Sequence, residues 1–333
     1  MRVDIHNHFY PAAYLALLEE RGRGVRIRTD LQGRRYLEEA GTRLATLTPP
    51  MTELERRFAM MDAVGIDLQV LSLTAPNVYA FDADDAIVAA RLVNDEYARL
   101  RAVHGRRLRC LASVPLGTGA EVEELDRAIL QLGLDGVVVG TNVAGRTLDD
   151  PAFEEFWRRV DELRCPVLIH PMTPMVGTRH LEDHALVPMV GFPFDTTLAV
   201  TRLIWTGFLD RHPNLRLVAL HAGGALPYLA GRLEIGADAY AECRQVEHRP
   251  TWYLGRLFYD TVSYHPPALR LLAESFGVGQ VVFGTDYPHV IGDPVRVIAS
   301  LDRAGFEPQD LERICWTNVR DGLGIALDPP GRS

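Results

Sequence analysis

The 333-residue sequence contains no lysine: all 35 of its basic residues are arginine. Any arrangement that needs a lysine side chain is therefore excluded. Cysteine is scarce, with Cys110, Cys165, Cys243 and Cys315 scattered and no CxxC among them. That argues against a disulfide scaffold and for reduced thiols in a cytoplasmic protein. No apolar run approaches the ~20 residues that span a bilayer, so no membrane segment is expected. The start has neither a basic n-region nor a cleavage site, so no secretory signal is read there. Positive charge is also short: the formal net charge is −9, which disfavours nucleic-acid binding. No GxGxxG follows any apolar run, which weakens the case for an open, doubly wound sheet.

What the chain does have is a repeating alternation. Short apolar, β-branched runs occur at 3–5, 68–73, 108–114, 136–140, 166–170, 215–221, 257–262 and 280–285. They are continuous rather than alternating, as expected of parallel strands buried on both faces. Helical patterns lie between them. One opens at Thr118, with Glu121 three residues on as a capping box; another opens at Asp150, with Pro151 at the first helical position. Eight such alternations predict an α/β fold, a (β/α)8 TIM barrel formed as one domain over 1–333. Two insertions interrupt it, 9–50 after the first strand and 171–195 after the fifth. Within the first, residues 25–39 suggest a small hairpin. Both are expected at the active-site face as lids.

The polar residues at strand ends carry the chemistry. His6 and His8 end the first strand, His170 the fifth, His221 the sixth and Asp286 the eighth. The C-terminal strand ends of a barrel converge on one mouth. Three neutral imidazoles and one carboxylate there make a divalent site suited to zinc, with manganese or iron tolerated. Other candidates are weaker. Asp260 at the end of strand seven is positioned to orient a ligand imidazole. Asn7 should point away from its flanking histidines. His289 could line the pocket, and so could Met172, Met175, Met189, Phe192 and Phe194. His180 and His184 have zincin spacing, but Glu182 is at the wrong offset for HExxH. His104, His212 and His248 read as solvated.

On the segments "DIHNHFYP", "VLIHP", the long stretch from "FPFDTTLAV" through "HAGGALPYLAGRLE", "VVFGTDYPH" and "DRAGFEPQ", the chain resembles the amidohydrolase superfamily. The resembled branch includes aminocarboxymuconate-semialdehyde decarboxylase and the γ-resorcylate decarboxylases. It implies that His6, His8, His170 and Asp286 hold the metal and that His221 is an unligated acid/base, with Asp286 also taking a proton. It implies a substrate-binding arginine within "ERRFAMMDAVGIDLQVLS", matched by Arg57, with Arg56 as the alternative. Substrate contacts are then expected from Arg57, His289 and Phe192. Binuclear members bridge their metals with a carbamylated lysine, which this chain lacks, so one metal is expected. Deaminase relatives have a glutamate where this chain has Gly224, which disfavours deamination. The implied reaction is non-oxidative decarboxylation of a small unsaturated or aromatic carboxylic acid. Hydrolysis of a lactone or amide at the same ion is the rival, and a catalytically dead scaffold is a third reading. A homodimer is implied by the same resemblance.

Overall fold

The computed structural model describes residues 1–39, 41–175, 180–181 and 183–327. Eight parallel strands follow the expected order: β1 (Val3–His8), β2 (Leu68–Ser72), β3 (Leu108–Cys110), β4 (Val137–Gly140), β5 (Pro166–His170), β6 (Arg216–Ala219), β7 (Phe258–Asp260) and β8 (Val281–Val282). Each pairs with the next in sequence. β3 does so in two pieces: Leu108–Cys110 lies on β2, the chain breaks register at Leu111, and Ala112–Ser113 lies on β4. The segment after β8 returns to β1, with Ile5 N–H donating to Phe283 O at 3.0 Å and His8 N–H to Tyr287 O at 2.8 Å. These bonds join the last strand to the first.

The apolar runs face two ways, as buried parallel strands require. Val138, Leu168 and Val218 pack inside the barrel with Ile5, Val70 and Val282. Their neighbours Val137, Val139, Val167 and Ile169 pack outward, against the helix layer. Asp150 caps the helical segment that follows it, its side chain accepting from Ala152 N–H at 2.9 Å. The other predicted start is displaced. The helix begins at Glu121, because the Glu121 carboxylate caps Gly119 N–H at 2.8 Å while Thr118 Oγ donates to Pro115 O. No helix of the described residues is long and apolar enough to cross a membrane.

The insertions differ from expectation in detail. The first holds a helix, Ala12–Arg21, and a three-stranded antiparallel sheet, Val25–Thr29, Arg35–Glu39 and Thr42–Thr46, rather than a two-stranded hairpin. The third strand is polar enough to read as loop; only Leu44 and Ala45 of it are buried. In the second insertion the chain is already helical at Val187–Gly191, continuing into Phe192–Trp205, so the loop is shorter than 171–195. Glu182 of the zincin-like stretch lies outside the described residues. His212 is not solvated but 4% exposed, its Nε2 3.2 Å from Glu154 Oε1.

Candidate metal centre

Asp4 and Asn7 share the first strand with the two histidines and have tasks apart from theirs. The Asp4 carboxylate is fully buried and accepts from His6 N–H at 3.2 Å, Gln69 Nε2 at 2.8 Å, Thr285 N–H at 3.1 Å and Thr285 Oγ at 2.7 Å. It thus ties β1, β2 and the segment after β8 together beneath the mouth. Burial, only partly offset by these donors, pushes its pKa up to about 6. Asn7 points away from the mouth, as expected, donating to Asp4 O at 2.9 Å and Val70 O at 3.2 Å.

Four side chains meet at the mouth. One ligand atom from each of His6, His8, His170 and Asp286 lies within 4.8 Å of the others. Asp286 Oδ1 is 3.4 Å from His6 Nε2 and 3.3 Å from His8 Nε2. Each imidazole is held by its other nitrogen. His6 Nδ1–H donates to Asp260 Oδ2, His8 Nδ1–H to Ser72 Oγ at 3.1 Å, and His170 Nδ1–H to Pro171 O at 2.8 Å. That leaves the Nε2 lone pairs facing one another. His6 Nε2, His8 Nε2 and Asp286 Oδ1 are buried without a hydrogen-bond partner. Unpaired buried polar atoms of this kind are costly unless something binds them. Three nitrogens and one carboxylate oxygen fit a single divalent cation.

Electrostatics separate the three imidazoles: burial opposes protonation of His6, but the Asp260 and Asp286 carboxylates raise it above the ordinary imidazole value. Burial, reinforced by the neighbouring imidazoles, holds His170 well below the ordinary imidazole range; burial takes His8 down to about 3. Both are neutral donors. Burial alone would raise Asp286, but the neighbouring His289 and His6, with His221 and His8 beside them, hold it well below the usual carboxylate range. Burial likewise opposes ionisation of Asp260, and the His6 charge and hydrogen bond outweigh it. Asp260 also accepts from Ala222 N–H at 2.6 Å, so one carboxylate orients both His6 and the turn that carries His221. Asp260→Asn should therefore weaken metal affinity about 10- to 100-fold, measured by competition with a chromogenic chelator. Wild-type affinity would rule out this positioning role.

His221 and Asp286 sit where the backbone is forced. Their φ values are 56° and 59°, with Ala222 at 53°. Left-handed backbone at non-glycine residues stores strain of order 1 kcal/mol each and aims these side chains across the mouth. His221 Nε2 stands 3.8 Å from Asp286 Oδ2, and its ring is 5.0 Å from that of His6. Gly284 is required beneath them, because a Cβ there would lie 2.7 Å from His6 Cβ. At Gly224, where deaminases have their glutamate, φ is 61° and any side chain would strike the Pro193 carbonyl.

Above the four donors opens a cavity of about 860 Å³. His170, His221, Asp286 and His289 lie at its base; both insertions wall it, through Leu44, Thr46, Leu181, Met189 and Phe192 among others. Of the expected apolar wall, Phe192 and Met189 are present, whereas Met172 packs against Gly140 and Phe194 is exposed. The Phe192 ring is 6.5 Å from that of His170.

Arg57 does not line the cavity, and its expected role as a carboxylate clamp does not fit its position. It is fully buried beneath β1, donating to Asn7 Oδ1 at 3.0 Å, Gln69 Oε1 at 2.8 Å, Pro50 O at 3.2 Å and the His8 carbonyl. Burial lowers its pKa to about 10, which leaves it cationic at neutral pH. It pins the backbone that carries the two histidines. Arg57→Met should cost about 3 kcal/mol in urea unfolding, since several buried acceptors lose their donor. A cost below about 1 kcal/mol would discount the latch. The alternative, Arg56, is on the surface, paired with Glu53. Among the described residues, the arginines that face the cavity are Arg34, in the turn before the second strand of the three-stranded sheet, and Arg43, on its third strand, and both pair with Asp30. Sequence reading passed over them, as it did Ser72 and Thr74. Thr74 Oγ lies 3.3 Å from both His170 Nε2 and His289 Nε2.

A parallel (β/α)8 barrel with an HxH pair on strand one, histidines ending strands five and six and an aspartate after strand eight defines a metal-dependent amidohydrolase. The chain belongs to the amidohydrolase family, whose profile matches residues 3–325. It is 31% identical to the 2-amino-3-carboxymuconate-6-semialdehyde decarboxylase of Dictyostelium discoideum, over 99% of this chain and 92% of that one. It is 28% identical to the 6-methylsalicylic acid decarboxylase of Penicillium expansum, over 98% of this chain and 96% of that one. Among solved structures it superposes on the apo IDCase of Metarhizium anisopliae with a TM-score of 0.86, at 27% identity and 97% coverage of both chains.

Proposed function

We propose that the protein catalyses non-oxidative decarboxylation of a small unsaturated or aromatic carboxylic acid that has an oxygen or nitrogen substituent beside the carboxylate. The observation that carries this is the mononuclear His6–His8–His170–Asp286 cluster with His221 free at its edge. The names of the two relatives favour decarboxylation over hydrolysis of a lactone or amide, which would use the same groups. The donor set favours zinc, with manganese as the alternative.

A divalent ion held by those four side chains would supply Lewis-acid polarisation of the carboxylate and its neighbouring substituent. When the carbon–carbon bond breaks, its electron pair stays with the ring or diene carbon, and a proton must replace the lost carbon dioxide there. His221 holds that proton at Nε2, within reach of a substrate lying over Asp286. Asp286 Oδ2 faces His221 and orients its imidazole, and the proton His221 gives up is replaced from solvent reaching the cavity between turnovers. Phe192 and Met189 wall the ring, and Arg34 and Arg43 receive a second anionic group at the rim, in place of Arg57.

A homodimer is part of the proposal. Tyr228, 82% exposed, and Val290, 72% exposed, present apolar surface at the cavity mouth that a second copy would cover. Light scattering tests it. The four cysteines are free thiols, which supports a reducing compartment such as the cytoplasm.

The functional test is release of carbon dioxide from 6-methylsalicylate and from 2-amino-3-carboxymuconate semialdehyde by protein stripped with chelator and then reloaded with zinc or manganese. Activity should vanish on stripping and return with one equivalent of metal. Acid release from lactones with no carbon dioxide from either acid would overturn the proposal.

A further inference from the structure

His289 stands at the base of the cavity, yet the proton transfer outlined above does not use it. Its ring lies edge-on 5.0 Å from that of His8, while His221 lies 5.0 Å from His6, so the two free imidazoles flank the cluster beside different ligands. His289 Nε2 is 3.3 Å from Thr74 Oγ, and that same oxygen is 3.3 Å from His170 Nε2.

A hydroxyl has one hydrogen to give, and two nitrogens compete for it. His170 Nδ1–H is committed to the Pro171 carbonyl, so His170 Nε2 carries a lone pair. A cation held by the four side chains would take that lone pair. Among the described residues, His289 Nε2 is then the one acceptor left within reach of the Thr74 hydrogen. A neutral imidazole that accepts at Nε2 carries its proton on Nδ1. His289 Nδ1 has no hydrogen-bond partner among the described residues and is not shut off from the cavity.

We propose that His289 is a substrate-binding residue, set by Thr74 into the Nδ1–H tautomer when the metal is bound, and that it donates this hydrogen to the substituent beside the substrate carboxylate. The role rests on the functional reading above and narrows it: the preferred acids have an acceptor, such as a hydroxyl oxygen or its phenolate, at that position. Thr74 is a positioning residue that acts through His289.

Two measurements test it. In two-bond 1H–15N spectra of 15N-histidine-labelled, zinc-loaded protein, His289 should show a pyridine-type Nε2 and a pyrrole-type Nδ1. Its signals are assigned by their absence in His289→Gln. Thr74→Val should mix the tautomers, and Thr74→Ser, which keeps the hydroxyl, should restore the wild-type pattern. A proton on Nε2 in the zinc-loaded wild type, or no change in Thr74→Val, overturns the tautomer lock. In the second measurement, calorimetry compares 6-methylsalicylate with 2-methylbenzoate, which lacks the hydroxyl. The wild type should prefer the former, and His289→Phe and His289→Gln should each narrow that preference about tenfold. An unchanged preference overturns the donor role. If both measurements hold but the wild type releases no carbon dioxide from any acid, the decarboxylase reading fails and the binding role of His289 stands.

Discussion

His221→Ala is expected to bind one equivalent of metal with wild-type affinity and to turn over about 10²- to 10⁴-fold more slowly, the usual contribution of a positioned acid/base. His221 is not one of the four side chains whose ligand atoms converge within 4.8 Å, so its loss removes no donor from the metal. Its backbone turn is held by Ala222 N–H on Asp260, and this bond does not involve the imidazole. The fold and the cluster should therefore survive the change. The measurements are metal content by mass spectrometry and carbon dioxide release under single-turnover conditions. Full activity would remove His221 from the mechanism; loss of metal would make it a ligand.

Asp286→Asn should give the opposite pattern, losing metal and activity together. Asp286 Oδ1 lies 3.4 Å from His6 Nε2 and 3.3 Å from His8 Nε2, and it supplies the only negative charge among the four donors. An amide oxygen is a poorer ligand and leaves the cation's charge uncompensated. Substitution of an outer-shell partner alone costs 10- to 100-fold in metal affinity, so loss of this ligand should exceed about a hundredfold. Excess zinc should restore little activity. If the variant retained a stoichiometric ion at micromolar zinc, the four-donor cluster would be the wrong description of the site. Together the two variants separate holding the ion from moving the proton.

Much of this was legible in the sequence, because barrel strands buried on both faces are long enough apolar runs to stand out, and because polar residues at their ends are rare enough to notice. His6, His8, His170, His221 and Asp286 all announce themselves in that way. Asp260 did too, as the end of strand seven. Ser72 and Thr74 did not: a hydroxyl residue after an apolar run has no distinctive chemistry until an imidazole is placed against it. Arg57 was assigned from its position in a resembled segment, yet the helix carrying it directs the guanidinium under β1 rather than over it. Arg34 and Arg43 were hidden by abundance, being two among 35 arginines, at a sheet whose third strand is too polar to recognise.

The two bonds that Thr285 and Asp286 N–H make to the His6 carbonyl, at 3.1 and 2.7 Å, join residues about 280 positions apart. One ligand's backbone thus hangs on another's. On the ribosome, β1 is made well before the segment after β8, and about 280 further residues must emerge before its coordination sphere is complete. High-affinity capture of the ion therefore follows synthesis of the last strand, and retained metal reports that β1 and the segment after β8 have found each other.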